Sequence, residues 1–283
     1  MNPSVALAKR NVLCYLRDRQ SVFFSLMGVL IVVLLYLLFL RNMLIETYPD
    51  LPGIGNLVDV WVMSGILGIV PVTTCAGALQ TMVEDRTCGR DRDLLVSPIG
   101  AHSIALGYVL STFAVGLIMG AVTLAICLVY LVATGCPLSV GGVFTAVLLM
   151  VPSALSASIV MYALTTFIRS TGAFSGLFTV VSVMIGFLAG IYMPMGTMPT
   201  AMQVVGTLVP ASHMAALFRN GLAQDALEQT FQGASPEVLS QFRYDMGFDL
   251  HLGDFSFDEV TMLIYVMVVT VAFFALASAR IRR

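Results

Sequence analysis

The chain has 283 residues, of which 58% are hydrophobic and 11% charged, and its mean hydropathy is +0.94. A soluble globular domain is charged at about a quarter of its positions, so this composition excludes one and indicates an integral membrane protein. Fourteen Lys and Arg against sixteen Asp and Glu give a net charge of -2, which leaves no basic surplus for nucleic acid. The cysteines Cys14, Cys75, Cys88, Cys127 and Cys136 lack the short-range spacing of a zinc site or a disulfide framework.

Residues 1–20 mix apolar Val5, Leu7, Ala8, Val12, Tyr15 and Leu16 with Lys9, Arg10, Arg17 and Arg19. The pattern suits an amphipathic helix lying along a membrane face; the alternative is a disordered basic tail that only anchors topology. Six apolar segments then approach or exceed the roughly 20 residues needed to cross a bilayer. They are Ser21 to Leu40, Val58 to Thr81 with an internal Pro71, Ser103 to Thr134, Phe144 to Ile168, Gly172 to Tyr192 and Val260 to Ala279. The first is too long for the apolar core of a signal peptide and no cleavage-site pattern follows it, so no such peptide is expected. None of the six interiors carries a Lys, Arg, Asp, Glu or His, and Asp59 sits at an end. Ion-coupled carriers generally need such groups as relays, which argues against that class.

With both termini cytoplasmic, the inner segments hold Lys9, Arg10, Arg17, Arg19, Arg86, Arg90, Arg92, Arg169, Arg280, Arg282 and Arg283, leaving only Arg41, Arg219 and Arg243 outside. Basic residues next to spans set orientation, so this asymmetry predicts six spans with both ends inside.

The inner loop from Glu84 to Pro98 alternates charges (Glu84, Asp85, Arg86, Arg90, Asp91, Arg92, Asp93), allows a turn at Gly89 and ends in apolar Leu94, Leu95 and Val96. An apolar tip on a mixed-charge element suits docking of a cytoplasmic partner, and a solvated loop is the plainer alternative. Span five carries Gly172, Gly176, Gly186 and Gly190, two small-residue pairs nearly on one helix face, and span three adds Gly116 and Gly120. Such faces serve packing within one bundle or a seam between two chains. Residues 193–259 form the one sizeable outer segment, expected to hold short helices that dip into the outer interface, an amphipathic piece from Ser212 to Leu227, a helix start at Ser235-Pro236-Glu237 and an acidic rim of Asp245, Asp249, Asp254, Asp258 and Glu259.

Enzymatic chemistry finds little to work with. The histidines are His102, His213 and His251, without metalloprotease, serine-hydrolase or phosphate-loop patterns around them. The sole lysine is Lys9, flanked by Ala8 and Arg10, so a Walker A loop cannot be written. Met193, Met195, Met198 and Met202 offer soft sulfurs to Cu(I), but methionine is equally an apolar filler, and that filler role is the simpler reading.

The charged loop closing in Ser97-Pro98, together with Gly190-Ile191-Tyr192-Met193-Pro194, Met198-Pro199, Leu208-Val209-Pro210-Ala211-Ser212-His213 and Arg219, resembles the ABC-2 type permeases of ATP-binding-cassette transporters, over essentially the whole chain. The resemblance implies a single all-α transmembrane domain over 1–283: six spans, an interfacial helix at 1–20, a cytoplasmic coupling helix within 82–102, and short extracellular re-entrant helices within 193–259. It implies a non-catalytic exporter subunit in the plasma membrane, paired with a second permease, identical or related, and with two copies of a separate ATPase. No cofactor would bind this chain directly, ATP and Mg residing on that partner. Glu84, Asp85, Arg86, Gly89, Arg90, Leu94, Leu95 and Pro98 would couple to the ATPase. Gly172, Gly176, Gly186 and Gly190 would pack the pathway or the dimer, and Pro194, Pro199, Pro210 and Arg219 would form the extracellular gate. A pathway free of charge suits a hydrophobic or amphipathic passenger, and the long outer segment is similar to that of drug and antibiotic exporters. Trp61, Phe174 and Phe178 would touch that passenger or face lipid. The competing readings are a lipid-acting membrane enzyme built on His102 or His213 and a structural or sensory subunit that moves nothing.

Overall fold

The computed structural model describes residues 2–49, 51–96 and 99–281, apart from side chains at positions 21, 24–26, 28, 92, 93, 95 and 281. The predicted docking residue Pro98, the side chain of Leu95, and Ser97, Arg282 and Arg283 therefore lie outside the described residues. Helix α1 (Pro3–Arg17) starts with Pro at its first position and Asn2 as N-cap, the Asn2 side chain accepting the Ser4 amide proton. It packs along α7 (Ala101–Ala133), with Leu7 against Gly107. The first span runs through α2 (Arg19–Leu35), a π-helical turn (Tyr36–Leu40) and α3 (Arg41–Thr47). The second joins α4 (Ile54–Ala78) to α5 (Gln80–Thr87), and α6 (Arg90–Val96) follows as a separate short helix. Helices α7, α8 (Val140–Thr165), α9 (Thr171–Leu188) and α13 (Glu259–Ile281) supply the remaining spans. Among the described residues six helices are long and apolar enough to cross a membrane, and the chain is an all-α integral membrane protein.

The first span continues past its expected end at Leu40 to Thr47. Arg41 does not stop it because the charge is answered: its Nε donates to Asp59 Oδ1 at 2.9 Å and its Nη2 to Oδ2 at 3.3 Å. The π turn explains how. An i to i+5 turn brings residues five apart onto neighbouring positions, so Tyr36 and Arg41 reach the same carboxylate, with Tyr130 of α7 a third donor at 3.3 Å. Asp59, expected at the end of a span, is fully buried and paired.

The segment after α9 departs most from expectation. Helix α10 (Thr200–Leu208) meets α11 (Pro210–Thr230) at an 88° bend. The second of the pair is not an amphipathic surface piece, for an unbroken run from Ala211 to Asn220 is buried. It runs against α4 and α8, and at Gly68 of α4 a methyl group would lie 2.6 Å from the Ala215 backbone. Only glycine permits that approach. The sequence-predicted start at Pro236 opens α12 (Pro236–Asp245), and an unanticipated hairpin of β1 (Leu250–Leu252) and β2 (Phe255–Phe257) completes this distal end. The acidic rim is partly tied down: Asp249 pairs with Arg243 at 2.7 Å, and Asp258 accepts the Thr261 amide proton at the start of α13.

Candidate functional site

Three regions bear on function, beginning at the end of the bundle that carries both termini. Asp85, at the last turn of α5, is fully buried. It receives Arg10 of α1 in a two-bond clamp, Nη1 to Oδ2 at 2.8 Å and Nη2 to Oδ1 at 2.9 Å, together with the Tyr108 hydroxyl of α7 at 2.8 Å. Arg90 of α6 stands 3.4 Å away on the other oxygen. The hydrogen bonds to Asp85 raise the Arg10 guanidinium further above its ordinary value. One carboxylate therefore ties four helices, and its two-bond geometry resists rotation as well as separation.

Arg86 is also turned inward, its Nη1 donating to the Thr165 carbonyl at 3.2 Å and the Ile168 carbonyl at 3.1 Å at the end of α8. Asp85 and Arg86, expected among the residues that couple to a partner, are turned into the bundle instead: Arg10 and Tyr108 answer the buried carboxylate and helix-end carbonyls take the Arg86 donors, since each group would otherwise be unsatisfied. Glu84 accepts from Gln80 within the same helix, and Gly89 adopts φ 75°, the turn expected of it. Val96 at the tip is 85% exposed, whereas Leu94 is half-buried beside Tyr108 and Tyr162. Arg10 went unremarked as a site residue because its partner is 75 residues away.

Second, a crevice of about 460 Å³ runs between α2, α4 and α9. It extends from Asp18, Gln20 and Gln80 at the terminal end to Ile66 and Tyr192, with Phe178, Thr73 and Ser182 along its wall. Phe178 thus lines an open space, while Phe174 and Trp61 are buried in the bundle and face neither passenger nor lipid. At about 100° per residue, α9 divides into sectors. Phe174 and Ile185 are buried, Phe178 and Ser182 face the crevice, and Gly172, Gly176, Thr179 and Val183 form the exposed side opposite the buried one. At Gly172 and Gly176 an added methyl group would meet no described atom within 4 Å.

The second glycine pair does not continue this face. Gly186 packs on Tyr192 of its own chain, and Gly190 lies beyond the helix at φ 67°, closing it with a left-handed turn. Gly116 and Gly120 of α7 do serve packing within the bundle, against Cys75 and Ala154 and against Met150.

Third, the distal end is organised by Arg219, which is 1% exposed. Its Nη2 donates to the carbonyls of Ala189 at 3.0 Å and Gly190 at 2.9 Å, its Nη1 to Gly247 at 3.1 Å, and the guanidinium lies 4.8 Å from the Trp61 ring centroid. Trp61 Nε1 donates to the Met246 carbonyl at 2.6 Å. A cation over the last carbonyls of α9 completes groups that the helix itself leaves unpaired. Arg219, expected in the extracellular gate, is a buried fastening between α9, α11 and the 246–248 loop, a role invisible in the sequence because its partners are backbone atoms. Pro210 opens α11 at its first position, while Pro194 precedes a short 3₁₀ turn and Pro199 precedes α10. His213 is buried, its Nε2 2.7 Å from the Thr207 carbonyl and its ring 4.4 Å from that of Tyr265. It sits in an aromatic cluster with Phe257 and Tyr265.

A family model described as ABC-2 type transporter matches residues 4–223. No curated protein matches the chain.

Proposed function

Since the chain belongs to the ABC-2 type transporter family and is a transmembrane permease of an ATP-binding-cassette transporter, we propose that it is the non-catalytic export subunit for a hydrophobic or amphipathic compound. The observation that carries this reading is the α2–α4–α9 crevice, which runs from the terminal end into the bundle and is walled by apolar side chains with a few uncharged polar groups, Asp18 standing at its terminal end. A second permease packed on the exposed small-residue face of α9 would close the crevice into a pathway, and the absence of a Cβ at Gly172 and Gly176 permits close approach. ATP and Mg then belong to a separate cytoplasmic ATPase, two copies serving two permeases, in a plasma-membrane complex whose permease termini are both cytoplasmic.

The docking element of this reading is α6, with the exposed Val96 at its tip and the Asp85 clamp behind it. Movement of an ATPase against α6 would pass through Arg90 and Asp85 into α1 and into the long α4–α5 rod that walls the crevice. Opening and closing at the far end would follow α9, whose end Arg219 fastens to α11.

The test is purification in mild detergent with mass spectrometry of what accompanies the chain, alongside vanadate-sensitive ATP hydrolysis. An equimolar Walker-containing partner is expected. In reconstituted vesicles, Leu94→Asp with Leu95→Asp is expected to lower ATP-dependent transport at least tenfold while the chain still inserts. Normal transport by that variant would remove α6 from the coupling path. A chain recovered alone and inactive in several detergents would favour the sensory or enzymatic readings.

A further inference from the structure

A second cavity lies on the opposite side of α9 from the crevice. It has a volume of about 310 Å³ and is walled by Val160 and Leu164 of α8, Val181 and Met184 of α9, and Val269 and Phe273 of α13. Pro210 and Met214 close it where α11 begins, and Ser153 and Ser156 are the only polar side chains among its lining residues. The cavity is open to the side: Val180 at its rim is 60% exposed and Met184 41%. Water gains nothing in a space so lined, since it would find too few polar partners. At this depth in a bilayer, the apolar molecule at hand is an acyl chain.

The charge at one end specifies more. Leu164 stands in the last turn of α8 and Phe167 and Ile168 follow just beyond its end, where the Arg280 guanidinium lies 5.0 Å from the Phe167 ring centroid. On α13, Phe273 and Arg280 are seven residues apart, so they share a face at a separation of about 10 Å along the axis. Arg169 is exposed directly after Ile168, and neither Arg169 nor Arg280 has a carboxylate partner among the described residues. Arg86 is close enough to Arg280 for their like charges to act on each other, while its own donors go to the end of α8. Asp91 answers Arg86, so the apolar slot leads to a cationic end at which Arg169 and Arg280 are the charges without a carboxylate partner among the described residues. That is the complement of a lipid with a hydrocarbon chain and an anionic head.

We propose that the α8–α9–α13 groove is a binding site for an anionic phospholipid, one acyl chain filling the cavity and the headgroup phosphate meeting Arg280 and Arg169. The site is separate from the pathway assigned above, because Phe178 and Ser182 turn toward the crevice from one flank of α9 and Val181 and Met184 turn toward the groove from the other. A lipid held there would brace α9 against α8 and α13 on the side away from the pathway. Membrane composition would then act on the helix that walls the crevice.

The test uses the purified full-length permease, with its ATPase where it co-purifies, delipidated and titrated with phosphatidylglycerol or phosphatidylcholine of matched chains, and bound lipid counted by native mass spectrometry. One phosphatidylglycerol per permease chain is expected, retained at least fivefold better than phosphatidylcholine. Arg169→Ala with Arg280→Ala should remove that preference while leaving weak retention of both lipids. Ala157→Trp should abolish retention by filling the groove. Because Ala157 is only 5% exposed, Val180→Trp at the open rim provides the same blockade without disturbing the interior. Equal retention of the two lipids by the unaltered protein, or undiminished retention by Val180→Trp, would overturn the proposal. So would a disulfide between two chains through Val180→Cys, which would make the groove mouth a contact between copies. The count is made without transport, so its failure leaves the permease reading standing.

Discussion

Arg219 shows how a single residue can determine the distal architecture. Its side chain is fully desolvated, and three backbone carbonyls and the Trp61 ring, rather than a carboxylate, provide its compensation. Replacement by Met keeps much of the volume but strands the carbonyls of Ala189, Gly190 and Gly247. Each unsatisfied buried group costs about 1–3 kcal/mol, so Arg219→Met is expected to destabilise by about 3 kcal/mol or more and to lower the melting temperature in detergent by roughly 6 °C or more. Arg219→Lys should recover only part of this, since an ammonium cannot span carbonyls on two segments with a planar fork. A melting curve unchanged in Arg219→Met would show that water replaces the guanidinium. The sequence placed Arg219 outside and Asp59 at a span end, which is as far as hydropathy reaches. The pairing of Asp59 with Tyr36, Arg41 and Tyr130 required a π turn and a neighbouring helix, and neither leaves a trace in local periodicity.

At the level of elements, glycines that look alike in sequence do different work. Six spans, the start at Pro236 and the turn at Gly89 were all legible, because each rests on composition or on the chemistry of one or two residues. Which helix face a glycine serves was not legible, because spacing fixes a face but not its neighbour. At Gly116 and Gly120 an added methyl group would lie 2.8 Å from Cys75 Sγ and 2.9 Å from Met150 Sδ, while at Gly172 and Gly176 it would meet no described atom within 4 Å. Gly116→Leu is therefore expected to destabilise the single chain by about 1–3 kcal/mol through overpacking. Gly172→Leu with Gly176→Leu is expected to leave the melting temperature of the chain unchanged and to shift its mass in detergent toward one copy. Thermal melting and native mass spectrometry on the same samples separate the two effects. A double variant of α9 that still assembles as well as the unaltered chain would show that this face meets lipid.

Across the whole molecule, the long α4–α5 rod connects the two ends, and what happens at one must reach the other through it. At the distal end Trp61 and Gly65 of α4 touch the Arg219 assembly; at the terminal end Asp85 receives Arg10, Tyr108 and Arg90. α4 is buried over most of its length and packs on α11, α7 and α8, so in the proposed route displacement at Asp85 would reach the crevice wall through that packing, with Pro71 as the place where the rod can bend. If the clamp transmits force, its geometry matters beyond its contribution to stability. Asp85→Asn removes the charge and one half of the two-bond pairing, since an amide offers a single acceptor oxygen. That variant is expected to assemble with its ATPase and hydrolyse ATP while transporting at least tenfold less per ATP consumed. Exchanging the pair, Arg10→Asp with Asp85→Arg, should recover part of the ratio, because the bidentate contact is restored with its sense reversed. Recovery in the exchange distinguishes transmission from bulk destabilisation, which two buried substitutions would deepen. A transport-to-hydrolysis ratio unchanged in Asp85→Asn would confine the clamp to holding α1 in place and would move the coupling route to the contact of Arg86 with the end of α8.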